Sequence, residues 1–133
     1  MRVLGIVLAG AMLLAAGTAP AAPRLDPETR LARALEGRVP GEPVKCISLR
    51  NVRSSQIIDE TAILYDAGGT IYMNRPREGR ESLDRDDILV TKLYSSQLCN
   101  VDVVHLHDRT SNFQTGFVFL GDFVPYRRAS SAR

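Results

Sequence analysis

The sequence predicts a mainly β domain, a small antiparallel barrel or sandwich of about seven short strands with a short N-terminal helix. From Val44 onwards, short runs rich in β-branched and aromatic residues alternate with turn residues. The clearest pair of runs spans residues 61–74 and flanks Gly68-Gly69, which is typical of a β-hairpin. Connections of hairpin length between the runs favour antiparallel pairing.

Residues 1–22 have the pattern of a secretory signal peptide. Arg2 supplies a positive start, the apolar stretch after it is too short to cross a bilayer comfortably, and Ala19-Pro20-Ala21 offers a cleavage site. We therefore expect a periplasmic or secreted protein that has no stable membrane anchor after cleavage.

The remaining chain is nearly neutral. The full sequence has 17 basic and 15 acidic residues, and removing Arg2 with the leader leaves the basic residues one in excess. Nucleic-acid binding is not indicated, because it usually requires clustered basic residues that acids do not balance.

Residues 23–43 are predicted to form a short helix and a linker. Asp26 is suited to cap the helix, Pro27 to occupy its first turn, and Gly37 to end it. The prolines at positions 40 and 43 prevent the helix from continuing. The β domain should then span residues 44–126, followed by a disordered tail at 127–133.

The strands of the domain are predicted from apolar alternation and flanking turn residues. They cover residues 44–49, 55–58, the two halves of the 61–74 hairpin, 88–93, 101–107 and 116–120. Between the hairpin and the next strand, Arg75–Asp87 holds four arginines and five acids. This segment is predicted to be a solvated loop, either an ordinary hydrated surface or a specific contact surface.

The hairpin loop is predicted to contain an even number of residues. A four-residue loop would place Leu64 opposite Ile71, and a two-residue Gly68-Gly69 turn would keep the same residues on each face. A three-residue loop would mix apolar and polar residues on both faces. An even loop instead buries one apolar face, formed by Ala62, Leu64, Ile71 and Met73.

The opposite face of the hairpin carries Tyr65 and Tyr72 and is a candidate binding face. Tyrosine is favoured at protein interfaces, but it is also common in sheets that pack under a neighbouring strand or loop. The sequence leaves both interpretations open.

Cys46 and Cys99 are the only cysteines in the chain. In an oxidising compartment the expected state is one intramolecular disulfide. A redox site would usually have C-x-x-C spacing, and a metal site needs more ligands than two distant thiols, so both alternatives are weaker.

His105 and His107 are the only histidines and would share one face of a strand, where two imidazoles could bind zinc. The nearby sequence supplies no third ligand. The same spacing arises if Val104 and Leu106 face the core and the histidines face water, so the metal site is a weak candidate.

No catalytic residue and no cofactor are predicted. The sequence contains no G-x-S-x-G motif and no glycine-rich phosphate loop leading into a helix. The paired acids Asp59-Glu60 and Asp86-Asp87 fall in predicted turns, where such residues serve the turn itself.

The chain resembles a family of small exported proteobacterial proteins of unknown function. The resemblance rests on five segments: Gly41–Ile47, Ile58–Leu64, Gly69–Arg75, Leu98–Asp102 and Leu120–Tyr126. Members of that family carry two further cysteines, at positions where this chain has Arg80 and Val118. The resemblance implies that those two form a second disulfide, which leaves Cys46 paired with Cys99 here, and it implies no activity.

We therefore expect a non-enzymatic exported binding or structural module of the bacterial envelope, whose partner is an unknown protein or envelope ligand. One alternative is a metal-binding protein or metal-dependent hydrolase that uses His105 and His107. Another is an inhibitor of a periplasmic enzyme that makes contact through the charged segment Arg75–Asp87.

Overall fold

The computed structural model describes residue 10, residues 15–20 and residues 24–130. Most of the predicted signal peptide and the last three residues of the predicted tail lie outside this part of the chain. Within it, the molecule consists of one α-helix and ten β-strands: α1 (Pro27–Ala34), β1 (Arg38–Pro40), β2 (Cys46–Ser48), β3 (Ser54–Ile58), β4 (Ala62–Asp66), β5 (Thr70–Asn74), β6 (Asp87–Val90), β7 (Gln97–Cys99), β8 (Val103–Asp108), β9 (Gln114–Phe119) and β10 (Phe123–Arg128). Two single-turn 3-10 helices cover Leu49–Asn51 and Arg80–Ser82. None of the described helices is long and apolar enough to cross a membrane.

The strands form three antiparallel sheets that pack as a sandwich and do not close into a barrel. The largest sheet has five strands in the order β1-β10-β5-β4-β3. A three-stranded sheet, β6-β8-β9, and the pair β2-β7 complete the architecture. The predicted fold class, mainly β with a short N-terminal helix, is confirmed.

The main core lies between the large sheet and the two smaller ones. Each of the three sheets contributes buried side chains, which include Ile47, Ile57, Ile63, Tyr65, Leu98, Val104, Leu106, Val118 and Phe123. Alternation along each strand directs one set of side chains inward, as expected for a sandwich. Leu83 and Leu120, which lie in connecting segments, complete this core.

The helix covers the other face of the large sheet. Asp26 caps it, because its carboxylate accepts a hydrogen bond from the Thr29 N–H, and Pro27 occupies the first turn. Leu31 and Leu35 are buried against the sheet, where they meet Ile58, Ala62, Leu64 and Met73. These two leucines, four positions apart, anchor the short helix to the sheet.

The β4–β5 hairpin has the predicted even-length loop. Leu64 lies opposite Met73 and Tyr65 opposite Tyr72, and the Ala67 N–H donates to the Thr70 carbonyl O at 2.9 Å. The turn therefore consists of Gly68-Gly69, which is the shorter of the two even loops considered. The predicted apolar face, formed by Ala62, Leu64, Ile71 and Met73, packs together beneath the helix.

Three strands were missing from the sequence prediction, namely β1, β7 and β10. Strands β1 and β7 have only three residues each, too few to show alternation. Strand β10 contains Pro125, and proline is disfavoured in the interior of a sheet because it has no backbone N–H. The segment after β1 runs beside Pro125 and uses only its acceptor, because the Gly41 N–H donates to the Pro125 carbonyl O at 2.7 Å and the N–H that proline lacks is not needed there. The large sheet consequently includes residues from the expected linker and from the expected disordered tail, which begins at residue 127.

The predicted disulfide between Cys46 and Cys99 is present. The two residues lie directly opposite each other in the β2-β7 pair. The bond links positions 53 residues apart and joins the segment before β3 to the segment before β8. It therefore links β2 covalently to β7, the two strands of the small sheet.

The charged segment Arg75–Asp87 is only partly the solvated loop that its composition predicted. Leu83 is buried in the main core, and the Glu60 N–H donates to its carbonyl O at 3.0 Å. Asp87 is also buried and begins β6. Leu83 is therefore one of several contacts that tie this polar segment to the body of the protein.

Candidate functional site

Two of the four edges of the large and three-stranded sheets are protected. The edge strand β9 is covered by the segment after β5, because the Phe119 N–H donates to the Glu78 carbonyl O at 3.0 Å and its carbonyl accepts from the Arg77 N–H at 2.8 Å. Gly79 allows this approach, since it has φ +84° and a Cβ there would collide with the Phe117 carbonyl O. The second protected edge is β1 of the large sheet, which is three residues long and ends at Pro40.

The other two edges, β3 and β6, line one groove. Its volume is about 460 Å³, and its walls include Ser55–Ile57 of β3 and Asp87–Leu89 of β6. Both are edge strands of their sheets among the described residues. We call this feature the edge groove. A sheet edge carries backbone N–H and C=O groups that no neighbouring strand satisfies.

One end of the edge groove is fixed by contacts between the two sheets. The Asp59 carboxylate, in the turn after β3, accepts the Arg85 backbone N–H at 2.7 Å and forms a salt bridge with Arg30 at 3.0 Å. The hydrogen bond from Glu60 to Leu83 lies beside it. These contacts join the turn after β3 to the segment before β6, so they fix the position of one groove wall relative to the other.

Arginine side chains from three separate elements surround the edge groove. Arg30 comes from α1, Arg85 from the charged segment, and Arg109 from the turn after β8. The acids in the walls are Asp86 and Asp87, and the buried Asp87 carboxylate accepts a hydrogen bond from the Thr115 hydroxyl. Arg30 is already paired with Asp59, whereas Arg85 and Arg109 form no salt bridge in the described structure.

The groove continues past the start of the helix. A second cavity of about 480 Å³ shares Arg30 and Arg85 with the edge groove, and it is also lined by residues 24–27. Leu25 is 43% exposed there. The combined cleft therefore offers backbone edges, arginines and one apolar side chain along its length.

The two hairpin tyrosines differ in burial, and only Tyr72 keeps part of its surface exposed. Tyr65 is only 4% exposed and packs edge-on against Phe123, with ring centroids 5.9 Å apart. Burial raises the pKa of its phenol, whose hydroxyl has no hydrogen-bond partner among the described residues. Tyr72 is half-buried against the same core. The second layer of the sandwich therefore covers Tyr65, which cannot serve as an exposed contact, and covers Tyr72 only in part.

His105 and His107 share one face of β8, as predicted, while Val104 and Leu106 are buried on the other. Among the described residues, no group of three or more His, Cys, Asp and Glu side chains comes together in a way that could hold a metal ion. The two imidazoles thus lack a third ligand in that part of the chain.

The surroundings of the two histidines differ from each other. The His105 ring lies 6.4 Å from the Phe117 ring, and its Nδ1 is buried without a partner in the described structure. His107 Nδ1 lies 3.2 Å from the Asn112 carbonyl O. His107 therefore takes part in the β8–β9 turn.

The sequence drew attention to Arg85 only as part of a charged segment and to Asp86 only as one of a pair of acids in a turn. It did not single out Arg30 or Arg109, and it did not identify β3 as an edge. No local sequence signal could have found the edge groove, because a strand becomes an edge only through the order of the whole sheet. Comparison of the chain with protein-family models, curated proteins and solved structures gives no significant match.

Proposed function

We propose that this protein is an exported, non-enzymatic binding module whose edge groove receives an extended segment of a partner polypeptide. The segment pairs its backbone with the free edge of β3 or β6 and places acidic side chains near Arg30, Arg85 and Arg109. The disulfide supports an extracytoplasmic location, because such bonds persist in oxidising compartments.

The observation that carries this proposal is the contrast among the sheet edges. The β9 edge is covered, the β1 edge is short and ends at proline, and the two open edges face a single groove. An extended peptide satisfies unpaired edge groups with main-chain hydrogen bonds, and this is a recurrent mode of peptide recognition.

The sequence of β3 is suited to such pairing. Its first three residues, Ser54–Gln56, are all exposed and carry neither charge nor proline. Charges and prolines are common devices by which proteins prevent unwanted pairing at an edge. Their absence from this stretch leaves it accessible to an added strand.

The arginines define the chemistry of the partner. Guanidinium groups bind carboxylates through paired, charge-assisted hydrogen bonds. The side chains of Arg85 and Arg109 form no salt bridge with described residues. Arg109 Nε donates to the Asp86 carbonyl O at 3.4 Å, which leaves the terminal N–H donors of the guanidinium for a ligand. A partner segment with glutamate or aspartate at alternating positions would bring its acids to one side of the groove.

The carboxylates of Asp59 and Asp87, at and near the groove, are engaged in contacts within the protein, which is consistent with a binding role. Asp59 is engaged by Arg30 and by the Arg85 N–H, and Asp87 by Thr115. Both carboxylates therefore stabilise the walls of the groove. The alternative role as an inhibitor of a periplasmic enzyme uses the same place, since the charged segment supplies Arg85–Asp87 to the groove wall.

The proposal can be tested with a fluorescein-labelled peptide of alternating valine and glutamate, and with a matched peptide of valine and lysine. We expect fluorescence anisotropy to show binding of the acidic peptide alone. Charge reversal by Arg85→Glu with Arg109→Glu should weaken that binding by about tenfold or more.

The control is Arg33→Glu with Arg80→Glu, which makes the same change in charge at exposed arginines outside the groove. Equal binding of the two peptides would contradict the proposal. Equal loss of affinity in the groove variant and in the control variant would contradict it as well, because the effect would then depend only on net charge.

A further inference from the structure

We propose that a second pocket, at the tip of the β4–β5 hairpin, binds a phosphate group. We call it the arginine pocket, and it is lined by Ser48, Arg50, Asn51, Arg53, Ala67, Thr70 and Tyr72. Its volume is about 410 Å³, and it shares no lining residue with the edge groove. The proposal is independent of the function proposed above.

The polar side chains that line the arginine pocket are rich in hydrogen-bond donors. Two guanidinium groups, three hydroxyls and one amide face it, and no carboxylate is among the lining residues. A guanidinium has five N–H donors and no acceptor. Within the described part of the chain, neither Arg50 nor Arg53 forms a salt bridge. The pocket therefore presents unneutralised positive charge.

Arg53 is held over the hairpin turn. Its backbone N–H donates to the Asp66 carbonyl O at 2.7 Å. Its guanidinium lies 3.4 Å from the position that a Cβ on Gly68 would occupy, and Gly68 has φ +85°. The positive φ favours glycine at this position, and the guanidinium packs over it at ordinary van der Waals distance. The Arg53 guanidinium therefore packs against the hairpin turn at Gly68.

Arg50 is positioned by the other wall of the pocket. It lies in the 3-10 helix Leu49–Asn51, directly after the strand that carries the disulfide. The Leu49 N–H donates to the Ser96 carbonyl O at 2.9 Å. The backbone that carries Arg50 is therefore fixed before a ligand arrives, which reduces the entropy lost on binding.

Further arginines surround the hairpin tip. Arg38 donates to the Gly69 carbonyl O at 3.1 Å, and Arg127 lies opposite Thr70 in the sheet. The acid at the tip, Asp66, already accepts the Gly68 N–H at 2.8 Å. The local field is therefore positive, in contrast to the edge groove, where Asp86 and Asp87 partly balance the arginines.

A phosphate monoester is the ligand that suits this arrangement. It carries a charge of about −1.5 to −2 near neutral pH and three acceptor oxygens that can use two guanidinium groups and a hydroxyl together. A carboxylate would need only one guanidinium fork. Such a phosphate can come from a soluble compound or from the head group of an envelope lipid.

The test is a titration of the isotope-labelled protein with inorganic phosphate, followed by amide chemical shifts and compared with chloride at equal ionic strength. We expect shifts at residues 50–53 and 67–70. Arg50→Gln with Arg53→Gln should weaken phosphate binding by about tenfold. The control, Arg33→Gln with Arg80→Gln, should leave it unchanged.

Phosphatidylcholine vesicles with and without phosphatidic acid distinguish the two sources of phosphate. Sedimentation with the acidic vesicles that is lost in the Arg50/Arg53 variant would identify a lipid head group, whereas binding of free phosphate alone would identify a soluble ligand. The proposal is overturned if phosphate and chloride have the same effect, or if the control variant loses as much affinity as the pocket variant.

Discussion

The side chain of Asn74 holds Gly121 through both of its polar atoms. Asn74 Nδ2 donates to the Gly121 carbonyl O at 2.7 Å, and its Oδ1 accepts the Gly121 N–H at 3.0 Å. Both residues are buried, and they lie 47 positions apart in the chain. This pair joins the end of β5 to the turn that leads into β10, so it fixes the entry of the last strand into the large sheet.

Replacement of Asn74 by alanine should destabilise the protein by about 2–4 kcal/mol, because it leaves a buried N–H and a buried C=O of Gly121 without partners. Urea denaturation measures the free energy of unfolding. The exposed Asn51 is the control, and Asn51→Ala should change stability by no more than about 0.5 kcal/mol. Equal effects of the two substitutions would show that the Asn74–Gly121 contact contributes little.

Removal of the disulfide by Cys46→Ser with Cys99→Ser should cost about 4 kcal/mol in the chain-entropy model, given a loop that spans 53 positions. Such a loss is a large fraction of the stability of a small domain. Denaturant unfolding of the oxidised, reduced and serine forms measures it. An unfolding midpoint that is the same in all three forms would contradict the expectation.

The Tyr65 hydroxyl should contribute nothing favourable to stability. It is buried without a partner among the described residues, and a buried polar group without a hydrogen bond is costly. Tyr65→Phe should therefore leave the free energy of unfolding unchanged or raise it by up to about 1 kcal/mol, whereas Tyr65→Ala should lower it by about 3–5 kcal/mol. A clear loss of stability in the phenylalanine variant would reveal a partner for the hydroxyl.

Asp108 should titrate below the usual range of an aspartate. The backbone N–H and hydroxyl of Ser111 and the backbone N–H of Thr110 donate to its carboxylate and hold its pKa down. Because the folded pKa is lowered, the stabilisation is present above the unfolded pKa and is lost as the pH falls through the folded value. NMR titration of the carboxyl carbon measures this, and Ser111→Ala should raise the pKa. A pKa that Ser111→Ala does not change would contradict this account.

The hairpin was predictable because alternation of apolar side chains fixes both its faces and the parity of its loop. Ala62, Leu64, Ile71 and Met73 could only be buried together if the loop was even. Alternation could not show what covers the opposite face. The burial of Tyr65 therefore depends on the second layer of the sandwich, which brings distant strands over it.

The edge groove was beyond sequence reasoning for the same physical reason. Arg30, Arg85 and Arg109 come from a helix, a charged segment and a turn that meet only after the sheets have packed. Strand β10 was also missed, because a proline and two arginines hide its alternation. Its place beside β5 makes β5 an interior strand and extends the large sheet away from the edge at β3.

The central claim, that an extended partner segment pairs with an open sheet edge, is tested most directly by amide hydrogen exchange with the valine–glutamate peptide bound. We predict slower exchange at residues 54–57 or 87–90 and no change at the β1 edge, residues 38–40. Peptide binding that leaves exchange at both open edges unchanged would contradict the claim.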